Sequence, residues 1–183
     1  DYNGAPWINP IQMGNSDLEW ETTTQTNVGM DLSLLNGRFS TTVDFFNKLT
    51  TGLLMDSYVP GFTGFSTVTR NIGEIKNSGM EISFHSINFD NGLMSWETDI
   101  NVSTINNEIV KLTQDNQPIA TNILKEGYPL GAFYLIHWDG VDPETGNSMY
   151  TDQNGDGVIN SGDMVAIKDK TPWPDHFGGI NNK

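Results

Sequence analysis

The 183-residue chain contains no cysteine, which excludes both a disulfide framework and a thiolate metal centre. Basic residues are scarce: 9 Lys and Arg stand against 23 Asp and Glu, for a formal net charge of −14. Binding a phosphate backbone needs a basic footprint, so nucleic acid is excluded as a partner. The acidic balance suits cation binding or an acidic extracellular surface. No apolar run approaches the ~18–20 residues of a membrane helix. No leader segment begins at Asp1, so the chain reads as mature, trimmed or a fragment. Hydrophobic residues make up only 36%, while glycine is plentiful at 19. None of this excludes a β-barrel, whose membrane signal is alternation alone.

Alternation is what the chain has. From Val28, residues Val28, Met30, Leu32 and Leu34 fall on one face, and Gly29, Asp31 and Ser33 on the other. After Asn36-Gly37 the pattern resumes, with Phe39, Thr41, Val43 and Phe45 against Ser40, Thr42 and Asp44. A period of two is the strand period. Asn-Gly between two such runs predicts a hairpin with a type I′ turn, because both residues tolerate positive φ. Gly79-Met-Glu-Ile-Ser83 echoes Gly29-Met-Asp-Leu-Ser33 and leads to a second turn at Asp90-Asn-Gly92. Beyond it Trp96, Thr98, Ile100 and Val102 alternate with Glu97, Asp99, Asn101 and Ser103. Hairpins are therefore expected over about residues 18–50 and 78–106.

Other stretches read as loops. Residues 1–17 lack a sustained period, with Trp7 and Ile8 expected to pack locally. Residues 51–77, rich in Gly, Thr and aromatics, read as a long irregular loop. Residues 107–176 read as another, interrupted by the short apolar run Ala132-Phe-Tyr-Leu-Ile136. At Phe177-Gly-Gly-Ile180 a further strand begins and is cut off at Lys183. Short turns on one side and long loops on the other is the layout of an outer-membrane barrel. Strands of this length also suffice for the ~9–11 residues of a tilted span. Trp20, Phe45, Phe46, Phe89 and Trp96 are candidates for the aromatic girdles. A soluble β-sandwich with the same aromatics in its core accounts for the periodicity equally well.

The run Asn15-Ser-Asp-Leu-Glu-Trp-Glu-Thr-Thr-Thr-Gln-Thr-Asn-Val-Gly-Met-Asp31 resembles the SusC/RagA family of TonB-linked outer-membrane receptors. So do Thr69-Arg-Asn-Ile-Gly-Glu-Ile-Lys-Asn-Ser-Gly-Met-Glu81, Glu126-Gly-Tyr-Pro-Leu-Gly131, Asp139-Gly-Val-Asp-Pro-Glu-Thr-Gly146 and Asp152-Gln-Asn-Gly-Asp-Gly157. The resemblance runs almost end to end from Asn15. It implies an all-β, antiparallel up-and-down meander across residues 1–183, part of a large transmembrane β-barrel of ~22 strands with long irregular extracellular loops. The implied function is TonB-dependent import of oligosaccharides or peptides across the outer membrane of Bacteroidota. The implied partners are a SusD-like surface lipoprotein, outer-membrane lipid, and TonB, which acts through a region that lies outside this chain. Such a protein is a transporter and not an enzyme. Ile167-Lys168 stands where the family often has Ile-Gly, and Leu135 where a glycine is common after Phe133-Tyr134. The runner-up is a secreted, Ca²⁺-stabilised β-sandwich that binds glycans.

One motif carries coordination chemistry. Asp152, Asn154 and Asp156 take positions one, three and five of an EF-hand-type loop, Gly157 the turn at six and the Val158 carbonyl position seven. Asp163 stands at twelve, where the usual ligand is a bidentate Glu. These five residues are the candidate ligands for a structural Ca²⁺, against the alternative of an ion-free Asx-and-Gly turn. His85, His137 and His176 lack zinc-site spacing, Asp142 and Glu144 sit in a solvated turn, and no catalytic signature appears. The loop aromatics Tyr58, Phe62, Phe65, Tyr128, Tyr134 and Trp138 are read chiefly as local clusters, with substrate or lid contact as the sharper alternative.

Overall fold

The computed structural model describes residues 11–113, 117–119 and 121–183. The expected packing of Trp7 and Ile8 lies outside these residues. The strands are β1 (Thr22–Leu34), β2 (Phe39–Tyr58), β3 (Thr67–Asp90), β4 (Ser95–Leu112), β5 (Gln117–Ile119), β6 (Asn122–Leu124), β7 (Phe133–Ile136), β8 (Trp138–Val141), β9 (Ser148–Tyr150), β10 (Met164–Ile167) and β11 (His176–Asn182). The main sheet is the antiparallel meander β1-β2-β3-β4-β11. The strand expected at Phe177 is therefore β11, seated on β4.

Both short turns form where the sequence placed them. Asn36 and Gly37 take φ of 56° and 85°, and the Arg38 N–H donates to the Leu35 carbonyl at 3.3 Å. Leu35 is left-handed too, with a φ of 53°, and the ladder closes at Leu34 and Phe39, so the turn stands where Asn36-Gly37 placed it but has four residues and is not the expected two-residue type I′ turn. In the second, the Asn91 side chain accepts from the N–H of Leu93 and of Met94 at 3.0 and 2.9 Å.

The register decides what the two faces are. Met30, Val43, Ile82 and Val102 form one row across β1 to β4. Leu32, Thr41, Phe84, Ile100 and Ile180 form the next row of the same face. Asp31, Asp44, Glu81, His85 and Asp99 belong to the opposite face. Among the described residues nothing covers this apolar face: Val28 is 65% exposed, Phe45 54% and Ile180 70%. Among the described residues the buried hydrophobics are Val68, Ile72, Ile75, Ile109, Leu112, Ile123, Leu124 and Ala132, none of them in these rows. A sandwich would bury its apolar face against a second sheet, and among the described residues no second sheet stands there. An uncovered apolar face of this kind is what a barrel wall turns to lipid.

The expected loop over 51–77 is corrected. β2 runs to Tyr58 and β3 starts at Thr67, leaving a tight connection with a 3-10 turn at Gly61–Thr63. The glycines that suggested irregularity are absorbed by register shifts: the ladder slips between Thr51 and Leu54, where Gly52 takes a φ of 67°. Asn71 holds that bulge, donating to the Gly52 carbonyl at 2.7 Å and to the Glu19 carbonyl at 2.9 Å, and accepting from the Glu19 N–H at 2.9 Å. An asparagine amide so placed imitates a strand edge and ties the segment before β1 to the hairpin.

β2, β3 and β4 are 20, 24 and 18 residues long. That exceeds the ~9–11 of a span, so they project beyond the bilayer on the side away from the short turns. Phe89 and Trp96 pair across the ladder at the short-turn rim, as girdle residues would. Phe46 is corrected: it belongs to the polar face, in the row of Gly79 and Ile105.

The long connection is also corrected, since it is folded and not irregular. It holds a four-stranded sheet in the order β10-β7-β6-β5 and a separate ribbon of β8 and β9. The apolar run noticed at Ala132 to Ile136 supplies its central strand, with Ala132 fully buried.

Candidate functional site

The residues with chemistry to offer lie at the outer end, where the long loop folds over the polar face. Ile75 and Ile109 pair two positions beyond Asn77 and Asn107, hence on the same face. With Ile72, Leu112 and Leu124 they make a buried cluster, against which Leu53, Met55 and Leu130 pack. Asn107 donates to the Asn77 side chain and accepts from the Leu130 N–H, both at 2.7 Å. The edge of β4 beyond β11 is capped by the loop. Ile109 exchanges backbone bonds with Tyr128 and Gly127 at 2.8 and 2.9 Å, and the Glu126 carboxylate accepts from the Leu112 N–H at 2.7 Å. Lys125 and Lys168 lie 4.6 and 5.7 Å from the centre of the Tyr128 ring. A cavity of about 650 Å³ opens beside this seam, lined by Asn107, Gly127, Leu130, Lys168, Trp173 and His176 among others.

The candidate metal loop is built by its own backbone. Asp152 accepts from the N–H of Gly155 and of Gly157 at 2.7 Å, and both glycines have left-handed φ of 74° and 80°. Asn154 accepts from the Asp156 N–H at 2.9 Å and Asp156 from the Val158 N–H at 2.8 Å. Asp163 is 1% exposed and accepts from Gln153, Asn154 and Asn160 at 2.9, 3.3 and 2.8 Å. The Asn160 N–H, followed by those of Asn154 and Gln153, holds its carboxyl below the usual carboxylate range against the opposing effect of burial. The Asn154 amide donates to Asp156 at 3.1 Å. The donors are the hard oxygens that Ca²⁺ takes, but among the described residues no three carboxylate or imidazole side chains converge on one point.

The histidines are placed differently. His85, on the polar face of the wall, lies 2.7 Å from Asp99, which Lys183 also approaches at 3.4 Å. His137 lies 3.1 Å from Asp139, and the Thr151 hydroxyl donates to Asp139 at 2.9 Å, closing the base of the β8–β9 ribbon. His176 opens β11 and lines the cavity. Asp142 caps the far end of the ribbon: the Thr145 hydroxyl, then the Glu144 N–H, lower its pKa. Of the loop aromatics, Tyr58, Phe62 and Trp138 are exposed, whereas Phe65, Tyr128 and Tyr134 are half-buried.

Residues 2–172 match the family model described as TonB dependent receptor-like, beta-barrel. The chain belongs to this family. TonB-dependent receptor P3 of Formosa agariphila is 32% identical over 92% of the chain and 19% of its own length. TonB-dependent receptor SusC of Bacteroides thetaiotaomicron is 32% identical over 92% of the chain and 18% of its own length. Among solved structures, the RagAB peptide transporter matches with a TM-score of 0.79 and 28% identity, over 92% of the chain and 19% of the matched chain. The chain thus spans about a fifth of the length of the relatives it matches. It is a stretch of outer-membrane barrel wall, and its family is one of receptors and transporters, not of enzymes.

Two features of the outer end escaped the sequence reading. The bulge latch at Asn71 left only the signal of an Asn two residues before Gly73, inside a stretch already read as loop. The β8–β9 ribbon is too short for a period to show, and its bulge at Asp139 breaks the alternation by putting Trp138 and Val141, three residues apart, on one face.

Proposed function

We propose that this chain forms part of the wall and outer mouth of a TonB-dependent importer that takes up peptides or oligosaccharides with a SusD-like surface lipoprotein. The observation that carries the reading is the two-faced sheet: uncovered apolar rows outside, and a polar inner face onto which a folded loop bends at the mouth. A wall of this kind encloses a polar lumen, and in the largest barrels that lumen is plugged and opened by an energised partner. The RagAB peptide transporter supports the peptide class and SusC the receptor class, while the oligosaccharide alternative and the lipoprotein partner rest on the resemblance of the sequence motifs to the SusC/RagA family. TonB would act through a part of the receptor outside this chain. The test is deletion of the full-length gene in its host. Growth on a peptide or oligosaccharide as sole nutrient should be lost and should return with the intact copy. Unchanged growth and uptake across both nutrient classes would end the reading.

We also propose Ca²⁺ as a ligand of the loop held by Asp152, Asn154, Asp156, the Val158 carbonyl and Asp163. Support comes from the order of the hard-oxygen donors and from the turn already formed around Gly157. Binding requires the Asn154–Asp156 side-chain bond to open so that both side chains turn inward. Calorimetric titration of the intact receptor with Ca²⁺ should give a saturable heat that Asp156→Ala abolishes. No heat would leave the loop as a hydrogen-bonded turn.

A further inference from the structure

Strands β8 and β9 form a two-stranded sheet that joins neither of the other sheets. Such a ribbon is marginal in water without something to pack on. It is closed at one end by the His137, Asp139 and Thr151 bonds and at the other by the Asp142 turn, which hold its shape. The register places Trp138 opposite Tyr150, and Val141 opposite Ser148, two residues along β9 from Tyr150, so Trp138, Tyr150 and Val141 share one face. They are 55%, 46% and 54% exposed. Exposed apolar surface on this scale, in a loop that faces outward, marks a place where something docks.

The charge around that face names the occupant. From His137 to Ile167 the chain carries Asp139, Asp142, Glu144, Asp152, Asp156 and Asp163 and not one Lys or Arg. Asp163 is sealed inside its loop, and Asp152 and Asp156 belong to the 152–163 loop proposed above to hold Ca²⁺, which leaves Asp139, Asp142 and Glu144 on the ribbon that carries the two aromatic rings. Aromatic faces attract ammonium and guanidinium groups, and carboxylates around them add to the pull. An oligosaccharide without charge gains nothing from the carboxylates. An acidic peptide is repelled by them.

We propose that the Trp138–Tyr150 face of the β8–β9 ribbon captures peptides rich in lysine or arginine at the receptor's outer mouth. This deepens the import reading above and rests on it. The experiment uses the full-length receptor with its surface lipoprotein, purified in detergent, and three fluorescein-labelled nonapeptides that carry four lysines, four serines or four glutamates on one common frame. The lysine peptide should bind at least ~10-fold tighter than the glutamate peptide, and 0.5 M salt should erase most of the difference. Trp138→Ala with Tyr150→Ala should weaken the lysine peptide ~3- to 30-fold and leave the serine peptide nearly unchanged. Trp138→Phe with Tyr150→Phe should retain most of the affinity, which separates loss of the rings from loss of the ribbon. Equal binding of the three peptides, or full affinity in the double alanine variant, overturns the inference while leaving peptide import standing. Binding of a maltooligosaccharide but of none of the peptides also overturns it and leaves import standing. Failure of peptides and oligosaccharides alike overturns both.

Discussion

The ring of Phe46 lies over Gly79 on the polar face of the wall: a Cβ built on Gly79 would stand 2.7 Å from Phe46 Cζ and 2.8 Å from Cε1. Neither distance is one that a real methyl group tolerates. The same Cβ would also run into the Thr104 carbonyl of β4, which is backbone and does not swing away. Phe46 thereby covers the hole that a glycine leaves in a long strand, and the ladder needs that glycine to stay bare.

Gly79→Ala should therefore force β3 and β4 apart locally, at a cost of about 1–3 kcal/mol, the usual range for overpacking a filled site. Gly14→Ala is the control, since a Cβ there meets nothing within 4 Å. Urea unfolding of the full-length receptor in detergent checks the pair. Equal midpoints for the two variants would mean that β3 and β4 do not approach as described.

Arg substituted at Met30 or Ile100 should destabilise the barrel by about 2–4 kcal/mol if it sits near the bilayer midplane. Asp31→Asn and Asp99→Asn, one residue away on the polar face, should not carry that depth-dependent lipid penalty. The contrast between neighbours is the content of the prediction, because a one-residue step along a strand exchanges lipid for lumen. Refolding into liposomes, with folded and unfolded fractions compared on gels, measures it. A neutral result for both Arg variants would return the wall to the soluble sandwich.

What the sequence disclosed follows from range. Alternation and the Asn36-Gly37 turn are local signals, and they placed β1, the two faces and both short turns. The end of β2 was missed because Gly52 looks like a breaker on its own. It becomes a bulge only when Asn71, 19 residues away, accommodates it. The folded loop was missed for a related reason: strands of three or four residues, such as β6 and β7, are too short to show a period. β6 is anchored through Leu124, which packs with Ile109 and Leu112 of a distant strand. At the metal loop the sequence named the residues and their spacing. It could not show that Asp163 is spent on three backbone N–H groups.

Asn71→Ala should remove two bonds donated to backbone carbonyls and leave the Glu19 N–H without its acceptor. A cost of about 1–3 kcal/mol is expected for partly buried groups of this kind. Because the tie joins residues 12–21 to the outer part of the hairpin, the change should show first as faster proteolysis before Thr22, with the membrane rows intact. Asn71→Asp keeps the acceptor but sets a carboxylate oxygen against the Gly52 and Glu19 carbonyls, so at neutral pH it should cost at least as much as Ala. Unaltered cleavage in the Ala variant would show that the segment is held by other means.

The last prediction concerns the pH at which the 152–163 loop opens. Asp163 has its pKa lowered from the ordinary value of 3.8, first by the Asn160 N–H and then by those of Asn154 and Gln153, with burial opposing. A carboxyl that is more acidic folded than unfolded stabilises the fold above its unfolded pKa. That contribution is complete at pH values above 3.8 and declines as pH falls through the still lower folded pKa. Protonation removes the charge that strengthens all three N–H bonds and turns one of the two accepting oxygens into a donor, so the loop should loosen while the strands, held by their ladders, stay paired. Hydrogen exchange at Gln153, Asn154 and Asn160 in the intact receptor should be slow and pH-independent, after correction for intrinsic rates, from neutral pH down to about 4. Protection should then fall below that point. Asp163→Asn keeps the shape but replaces a charged two-oxygen acceptor with a neutral one, so its protection should be lower at neutral pH and should not change further on acidification. Protection that persists in acid, or that the Asn variant retains in full, would show that the buried carboxylate is not what holds the loop.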